Sequence, residues 1–137
     1  VSRDFVVLDG ATTTQGADLP LITGIRDFGK YEAGDEIADS LLRAAVRLVE
    51  YVQAGAVHCP SLRVMLIQLD YSNGSLNAYV ADQAPFREGA KIVFPGQMER
   101  LAPALKALAT IARERLKAEM TIGFADLSYE ENVPVRP

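Results

Sequence analysis

The stretch QMERLAPALKALATIARERLKAEMTIGFADLSYEENVPVRP, residues 97–137, decides the fold of this chain. Its first half predicts an amphipathic helix, because apolar residues recur at intervals of three and four. These residues are Met98, Leu101, Leu105, Leu108 and Ala112. Pro103 is tolerated in a first helical turn but not in a helix interior, so we expect a short turn after Gln97 and the true helix start near Pro103.

The second half of this stretch predicts two strands. Residues Gly123 to Tyr129 read as extended, Glu130 to Asn132 as a turn, and Val133 to Arg136 as the last strand. A strand that finishes a sheet leaves a row of unpaired N–H and C=O groups on its outer side. We therefore expect the rest of the chain to form the scaffold that supports this edge strand.

The N-terminal part predicts a hairpin, followed by a buried crossing strand or a turn. A short apolar run, Asp4 to Leu8, ends at Asp9-Gly10, which suits a tight turn, and the chain returns through Thr12 to Thr14. In the segment Leu19 to Gly24, Pro20 favours an extended residue before it and the final glycine permits a sharp exit.

A first helix is expected from Asp35, which has the chemistry of a helix cap, with Glu36 and Asp39 favourably placed in the first turn. Its apolar residues recur at helical spacing, so one side should pack on a sheet. They are Ile37, Leu41, Ala45, Leu48 and Val52. Gly55 is expected to stop this helix.

A three-strand meander is expected next, with strands at Leu62–Leu69, Leu76–Val80 and Lys91–Phe94. Residues 72–74 form its first turn and residues 82–89 a loop. The predicted fold class is α+β, a mixed and mostly antiparallel sheet with two amphipathic helices packed on one face and an exposed C-terminal edge strand. At 137 residues, the chain 1–137 is expected to form a single domain.

Composition excludes some classes of function. The net charge is −4 with basic residues scattered among acids, whereas a nucleic-acid surface needs clustered Lys and Arg. One cysteine, Cys59, excludes an internal disulfide framework, and no apolar run approaches the roughly 20 residues of a membrane helix. Because the chain starts at Val1 without methionine, we expect it to be a piece of a longer protein. We expect protein partners, no cofactor and no catalysis.

Taken in order, these segments resemble the extracytoplasmic β domain of the bacterial division proteins FtsQ and DivIB. The resemblance is carried by the opening Leu8-Asp9-Gly10, the Leu19 to Gly24 crossing, the helix, meander and second helix, and the closing Asp126-Leu127-Ser128-Tyr129. It covers nearly the whole chain. It implies a single-pass inner-membrane protein whose cytoplasmic tail, membrane helix and POTRA domain precede this domain, which lies on the periplasmic side.

The resemblance also implies a function without catalysis. Proteins of this family are divisome scaffolds that bind FtsB and FtsL and help to control septal peptidoglycan synthesis. In the family, the FtsB segment pairs with the last strand and touches the tyrosine that matches Tyr129. The partner-binding residues implied here are Ser128, Tyr129, Val133, Pro134, Val135 and Arg136.

Several positions depart from the family pattern. Ser128 stands where the family usually has arginine, Asn73-Gly74 replaces another arginine, and Pro137 stands where an aromatic residue is sometimes found. The loops 27–34 and 82–89 look longer than usual. Basic contacts to a partner are thus reduced, and backbone pairing must carry more of the binding.

Pairing at this edge is expected on physical grounds as well. An extended peptide adds to a free sheet edge through main-chain hydrogen bonds, and alternate side-chain pockets give specificity. Pro134 lacks a donor, which is tolerated where a strand is not central. A partner can pair with its neighbours in a register where the missing donor points the other way.

Two alternatives stay open. One is another envelope assembly or secretion module with the same exposed edge but a different partner. The other is a small α/β enzyme that uses Cys59 or His58, although adjacent residues on an extended loop point in opposite directions and no third ligand accompanies them.

Overall fold

The computed structural model describes residues 5–8, 11–14, 20–25, 40–54, 62–129 and 133–137. Within these ranges the chain forms strands, two α-helices and one 3-10 turn, η1, at Met98–Arg100. The helices are α1 Ser40–Ala54 and α2 Leu101–Lys117. The strands are β1 Phe5–Leu8, β2 Ala11–Thr14, β3 Leu21–Thr23, β4 Val64–Asp70, β5 Ser75–Val80, β6 Phe86–Pro95, β7 Ile122–Asp126 and β8 Val135–Arg136.

All of the described strands belong to one sheet, whose spatial order follows the chain from β1 to β8. Neighbouring strands run antiparallel except for two parallel pairs, β3 with β4 and β6 with β7. A parallel pair needs a crossover connection, and α2 lies on the crossover between β6 and β7. Both helices contact the sheet and each other. The predicted α+β class, a mostly antiparallel mixed sheet with two helices on one face, is therefore confirmed.

The two strands of the predicted N-terminal hairpin form, and the crossing segment is a strand, whereas the predicted turn at Asp9-Gly10 lies outside the described residues. Leu8 of β1 pairs with Ala11 of β2. Gly24 follows β3 with a φ of +80°, and a Cβ at this position would lie 3.0 Å from the carbonyl oxygen of Leu69. Glycine is therefore required by both the backbone conformation and the close approach of β4.

Helix α1 buries the apolar side that its spacing predicts. Leu41, Ala45 and Leu48 are buried, and Val52 packs against the same core. On the opposite side, the Arg47 and Glu50 side chains form an exposed ion pair at 3.6 Å. Several predictions lie outside the described residues: the cap at Asp35 with Glu36 and Asp39, the core position Ile37, the stop at Gly55, and His58 and Cys59.

Helix α2 starts as its proline predicts. Residues Met98–Arg100 form a 3-10 turn, and Pro103 is the third residue of the α-helix that follows. The helix ends in a Schellman motif, in which Met120 N–H bonds to Arg115 C=O at 2.9 Å and Glu119 N–H bonds to Leu116 C=O at 3.2 Å. Glu119 has a φ of 57°, a conformation that usually belongs to glycine.

The predicted loop at 82–89 is wrong from residue 86 onward. Strand β6 already starts at Phe86, whose side chain is only 2% exposed and belongs to the core. A short bridge from Gln83 to Phe86 and a bond from Ile122 N–H to Pro85 C=O, 2.8 Å long, hold this start in place. The glycine and charges of this segment gave a local loop signal, but pairing with β7 overrides it.

Strand β5 differs from the expected single buried face. Leu76, Ala78 and Val80 face the helices and are buried, but Ser75 and Asn77 on the other face are buried too. Asn77 lies between Gln68 of β4 and Val93 of β6. Its position on a central strand, between long neighbours on both sides, explains why a polar residue of the alternating pattern is shielded from water.

Candidate protein-docking edge

Strand β8 lies at the end of the sheet, and nothing in the described part of the chain pairs with its outer side. On its inner side it pairs antiparallel with β7, Phe124 opposite Arg136 and Ala125 opposite Val135. One further bond extends this ladder, from Asp126 N–H to Pro134 C=O at 3.0 Å. The strand is shorter than the predicted Val133 to Arg136, but the pairing reaches back to Pro134.

This bond fixes the direction in which each backbone group of the edge points. In an antiparallel strand, the N–H and C=O of one residue point to the same side, and successive residues alternate. Because Pro134 C=O points inward to β7, Arg136 also points inward, and Val133 and Val135 point outward. The missing donor of Pro134 is therefore on the inner side, and two N–H and two C=O groups face outward.

A groove runs between helix α2 and strand β8 beside this free edge, and we call it the α2–β8 groove. Its upper part, next to Tyr129, has a volume of about 310 Å³, and its lower part, next to Met120, has a volume of about 750 Å³. The upper part is lined by Pro103, Ala104, Ala107, Leu127, Tyr129, Val133 and the Arg100 side chain. The lower part is lined by Ala107, Thr110, Ile111, Glu114, Arg115, Ala118, Met120, Val133 and Val135.

The turn after β7 orients the segment that leads into the groove. The strand ends at Asp126 and does not continue to Tyr129 as predicted. Both the backbone N–H and the hydroxyl of Ser128 donate to the Asp126 carboxylate, which favours a turn over an extended chain. Arg100 donates to the Ser128 carbonyl at 2.8 Å. The polar groups of Ser128 are thus bonded within the protein.

Tyr129 lies beyond this turn at the upper end of the groove, and 56% of its surface is exposed. An exposed tyrosine offers a large apolar ring and a hydroxyl for hydrogen bonding, which makes it a frequent anchor in interfaces. Of the sequence-predicted residues, Tyr129, Val133 and Val135 come together in the groove.

Arg136 lies on the other face of the sheet. Its guanidinium carbon is 4.2 Å from the centre of the Phe124 ring, a cation–π distance. Side chains alternate along a strand, and Val135 lines the groove beside α2. Arg136 therefore stands on the helix-free face together with the exposed Pro134, and the structure divides the predicted binding residues between two faces.

Sequence reasoning missed the helix side of the groove. Ala104, Ala107, Ile111 and Ala118 recur at three, four and seven residues along α2, beside its buried stripe. Small residues leave room next to an edge strand, and this spacing was the available signal. On the same helix, Arg115 is half-buried and donates to Thr121 C=O at 3.2 Å.

The described residues offer no alternative site with obvious chemistry. They hold no cluster of three or more His, Cys, Asp or Glu side chains that fits a metal ion. Neither of the two described helices has the length and apolar character needed to cross a membrane. His58 and Cys59, on which an enzymatic alternative depends, lie outside the described ranges.

The fold and the edge define the chain as a single-sheet α+β domain with a grooved C-terminal edge. Comparisons with protein-family models, with curated proteins and with solved structures find no match to it.

Proposed function

We propose that this domain is a non-catalytic scaffold of a bacterial divisome, resembling FtsQ, that binds FtsB-like and FtsL-like partners by strand addition at β8. One observation carries the proposal: the free edge of strand β8 lies directly beside the apolar α2–β8 groove. In this proposal an upstream segment anchors the protein in the inner membrane, the domain lies on the periplasmic side, and partner binding helps to control septal peptidoglycan synthesis.

The backbone of β8 suits this role. Val133 and Val135 present outward N–H and C=O groups, enough for four main-chain hydrogen bonds to an added strand. Each such bond contributes roughly 0.5–1.5 kcal/mol net, because the same groups bind water in the free protein. Pro134 does not interfere, since its missing donor faces β7.

The groove supplies the side-chain part of the interface. An added strand alternates its side chains between two faces, and those on the helix side enter the α2–β8 groove. There they meet Ala107, Ile111 and Met120, with Val133 and Val135 on the strand side. Tyr129 closes the upper end with its exposed ring. Apolar burial in such a groove contributes about 25 cal/mol per Å² before the costs of association are subtracted.

The test is a calorimetric titration of the domain with the extracytoplasmic segments of the FtsB-like and FtsL-like proteins of the same genome. The decisive variant is Val135→Pro, which removes one outward donor, and the matched control is Val135→Thr, which keeps it. We expect binding by the wild type and Val135→Thr, and a loss of about two- to tenfold in Val135→Pro.

Two results would overturn the proposal. One is the absence of binding at tens of micromolar partner. The other is binding that persists unchanged in Val135→Pro and after truncation behind Asn132, which places the contact elsewhere on the domain.

A further inference from the structure

A row of cationic and aromatic side chains crosses the helix-free face of the sheet and ends at the docking edge. Tyr79 of β5 pairs with Lys91 of β6, Lys91 with Phe124 of β7, and Phe124 with Arg136 of β8. We call Lys91, Phe124 and Arg136 the basic row. Residues opposite each other in neighbouring strands have Cβ atoms roughly 4.5–5.5 Å apart on the same face, so the row is continuous.

Within the described part of the chain, no salt bridge joins Lys91 or Arg136 to a carboxylate. Hydrogen bonds from Asn73, and at longer range the charge of Lys91, lower the pKa of the Asp70 carboxylate. Arg136 is held over the Phe124 ring. Arg87, also on β6, donates to the Pro137 carbonyl at 3.1 Å, and no salt bridge joins it to another described residue. The Asp126 carboxylate, on the neighbouring strand, accepts two hydrogen bonds from Ser128 and makes no salt bridge with Arg136 among the described residues. Arg136 therefore offers an exposed cation at the free edge of a chain whose net charge is −4.

We infer that the segment that adds to β8 carries an acidic residue opposite Arg136 and apolar residues opposite Val133 and Val135. This inference rests on the proposed strand addition and names the chemistry of its partner. The geometry fixes the pattern, because a residue opposite Arg136 points to the helix-free face, whereas residues opposite Val133 and Val135 point into the α2–β8 groove.

The pattern also has a direction. If the added strand runs antiparallel to β8, its sequence from N- to C-terminus reads acidic, apolar, any residue, apolar. If it runs parallel, the order is reversed. The carboxylate then lies beside a guanidinium that Phe124 already holds in place, so little side-chain freedom is lost when the pair forms.

The test measures binding of the same FtsB-like and FtsL-like segments to Arg136→Gln, Arg136→Lys and the matched control Arg113→Gln, which removes an exposed charge on α2. Titrations are run at low salt and at about 1 M salt, where the Debye length is about 3 Å. We expect Arg136→Gln to weaken binding about two- to fivefold at low salt and to flatten its salt dependence. Arg136→Lys and Arg113→Gln should bind within about twofold of the wild type.

A second measurement locates the acid. Lysine is placed in turn at each acidic position of the bound segment, and the charge swap with Arg136→Glu should restore binding at one position only. Wild-type affinity and salt dependence in Arg136→Gln would overturn the inference while leaving strand addition intact, provided that Val135→Pro still weakens binding. If Val135→Pro has no effect, both fail together.

Discussion

The backbone N–H of Asp126 donates to the carbonyl oxygen of Pro134 at 3.0 Å. This single bond turns the proline toward β7 and leaves the groups of Val133 and Val135 for an outside strand. A proline at a sheet edge usually protects it from unwanted pairing. Here the position of the bond places that protection on the inner side, where it cannot block a partner.

Replacement by proline should change the unfolding free energy differently at the two strand residues that follow Pro134. Arg136→Pro removes an inward donor that bonds to β7, so we expect a loss of roughly 1 kcal/mol or more in unfolding free energy. Val135→Pro removes an outward donor without a partner in the free domain, and the loss should be smaller. Urea denaturation of both variants measures this. Equal losses would contradict the alternation of the edge groups.

The C-terminus of α2 stores backbone strain at Glu119. A residue other than glycine in the left-handed region costs about 1–2 kcal/mol relative to the right-handed one. Glu119→Gly should therefore raise the unfolding free energy by about 1 kcal/mol, measured by thermal or urea denaturation. The control is Ala118→Gly, where φ is −84° and no gain is expected. A destabilised Glu119→Gly variant would refute the prediction.

The turn at residues 126–128 should depend on the Asp126 carboxylate more than on the Ser128 hydroxyl. Asp126→Ala removes both bonds that Ser128 donates, whereas Ser128→Ala removes the hydroxyl bond and keeps the backbone bond. We expect unfolding free energies lower by about 1–3 kcal/mol and about 0.5–1.5 kcal/mol, respectively. Chemical denaturation measures both losses. A larger loss in Ser128→Ala than in Asp126→Ala would show that the carboxylate does not organise the turn.

The β4–β5 turn should lose stability in acid. The pKa of Asp70 lies below its ordinary value of 3.8, chiefly because the Asn73 side chain donates to its carboxylate at 2.8 Å and the Asn73 backbone N–H at 3.2 Å. A lowered folded-state pKa means that this stabilisation is complete above the ordinary pKa and is lost as the pH falls through the folded-state value.

Replacing Asn73 tests this dependence. Asn73→Ala should raise the pKa of Asp70 toward its ordinary value and reduce the pH dependence of stability in acid. NMR titration of the Asp70 carboxyl carbon measures the shift. Ser72→Ala keeps both Asn73 donors and should leave the titration unchanged. An unchanged midpoint in Asn73→Ala would show that the Asn73 side chain does not lower this pKa.

The inner and outer sides of strand β8 show how far the sequence could predict the site. The position of the last strand and the exposure of its outer side followed from the apolar pattern and the turn residues. Which groups of that strand point outward depends on pairing with β7, and a shift of one residue would reverse every assignment. The helix side of the groove was missed for a similar reason, because Ile111 and Val135 meet through packing between distant segments.

The sequence by itself determined the elements with strong local signals. The apolar spacing of Leu101, Leu105 and Leu108 identifies α2, Pro103 places its start, and the apolar run that ends at Leu8 identifies the first strand of the hairpin. These signals act over three or four residues, within one helical turn or one hairpin turn. They can therefore be interpreted without knowing which other segments of the chain pack against them.

Only the tertiary structure decided the rest. Phe86 becomes the start of a core strand because β7 pairs with it, and Ser128 is held by Arg100, which lies 28 positions earlier in the chain. The inward turn of Pro134 likewise depends on one bond to Asp126. These features arise from contacts between segments far apart in sequence, whose register and facing are set by packing of the whole sheet rather than by local propensity.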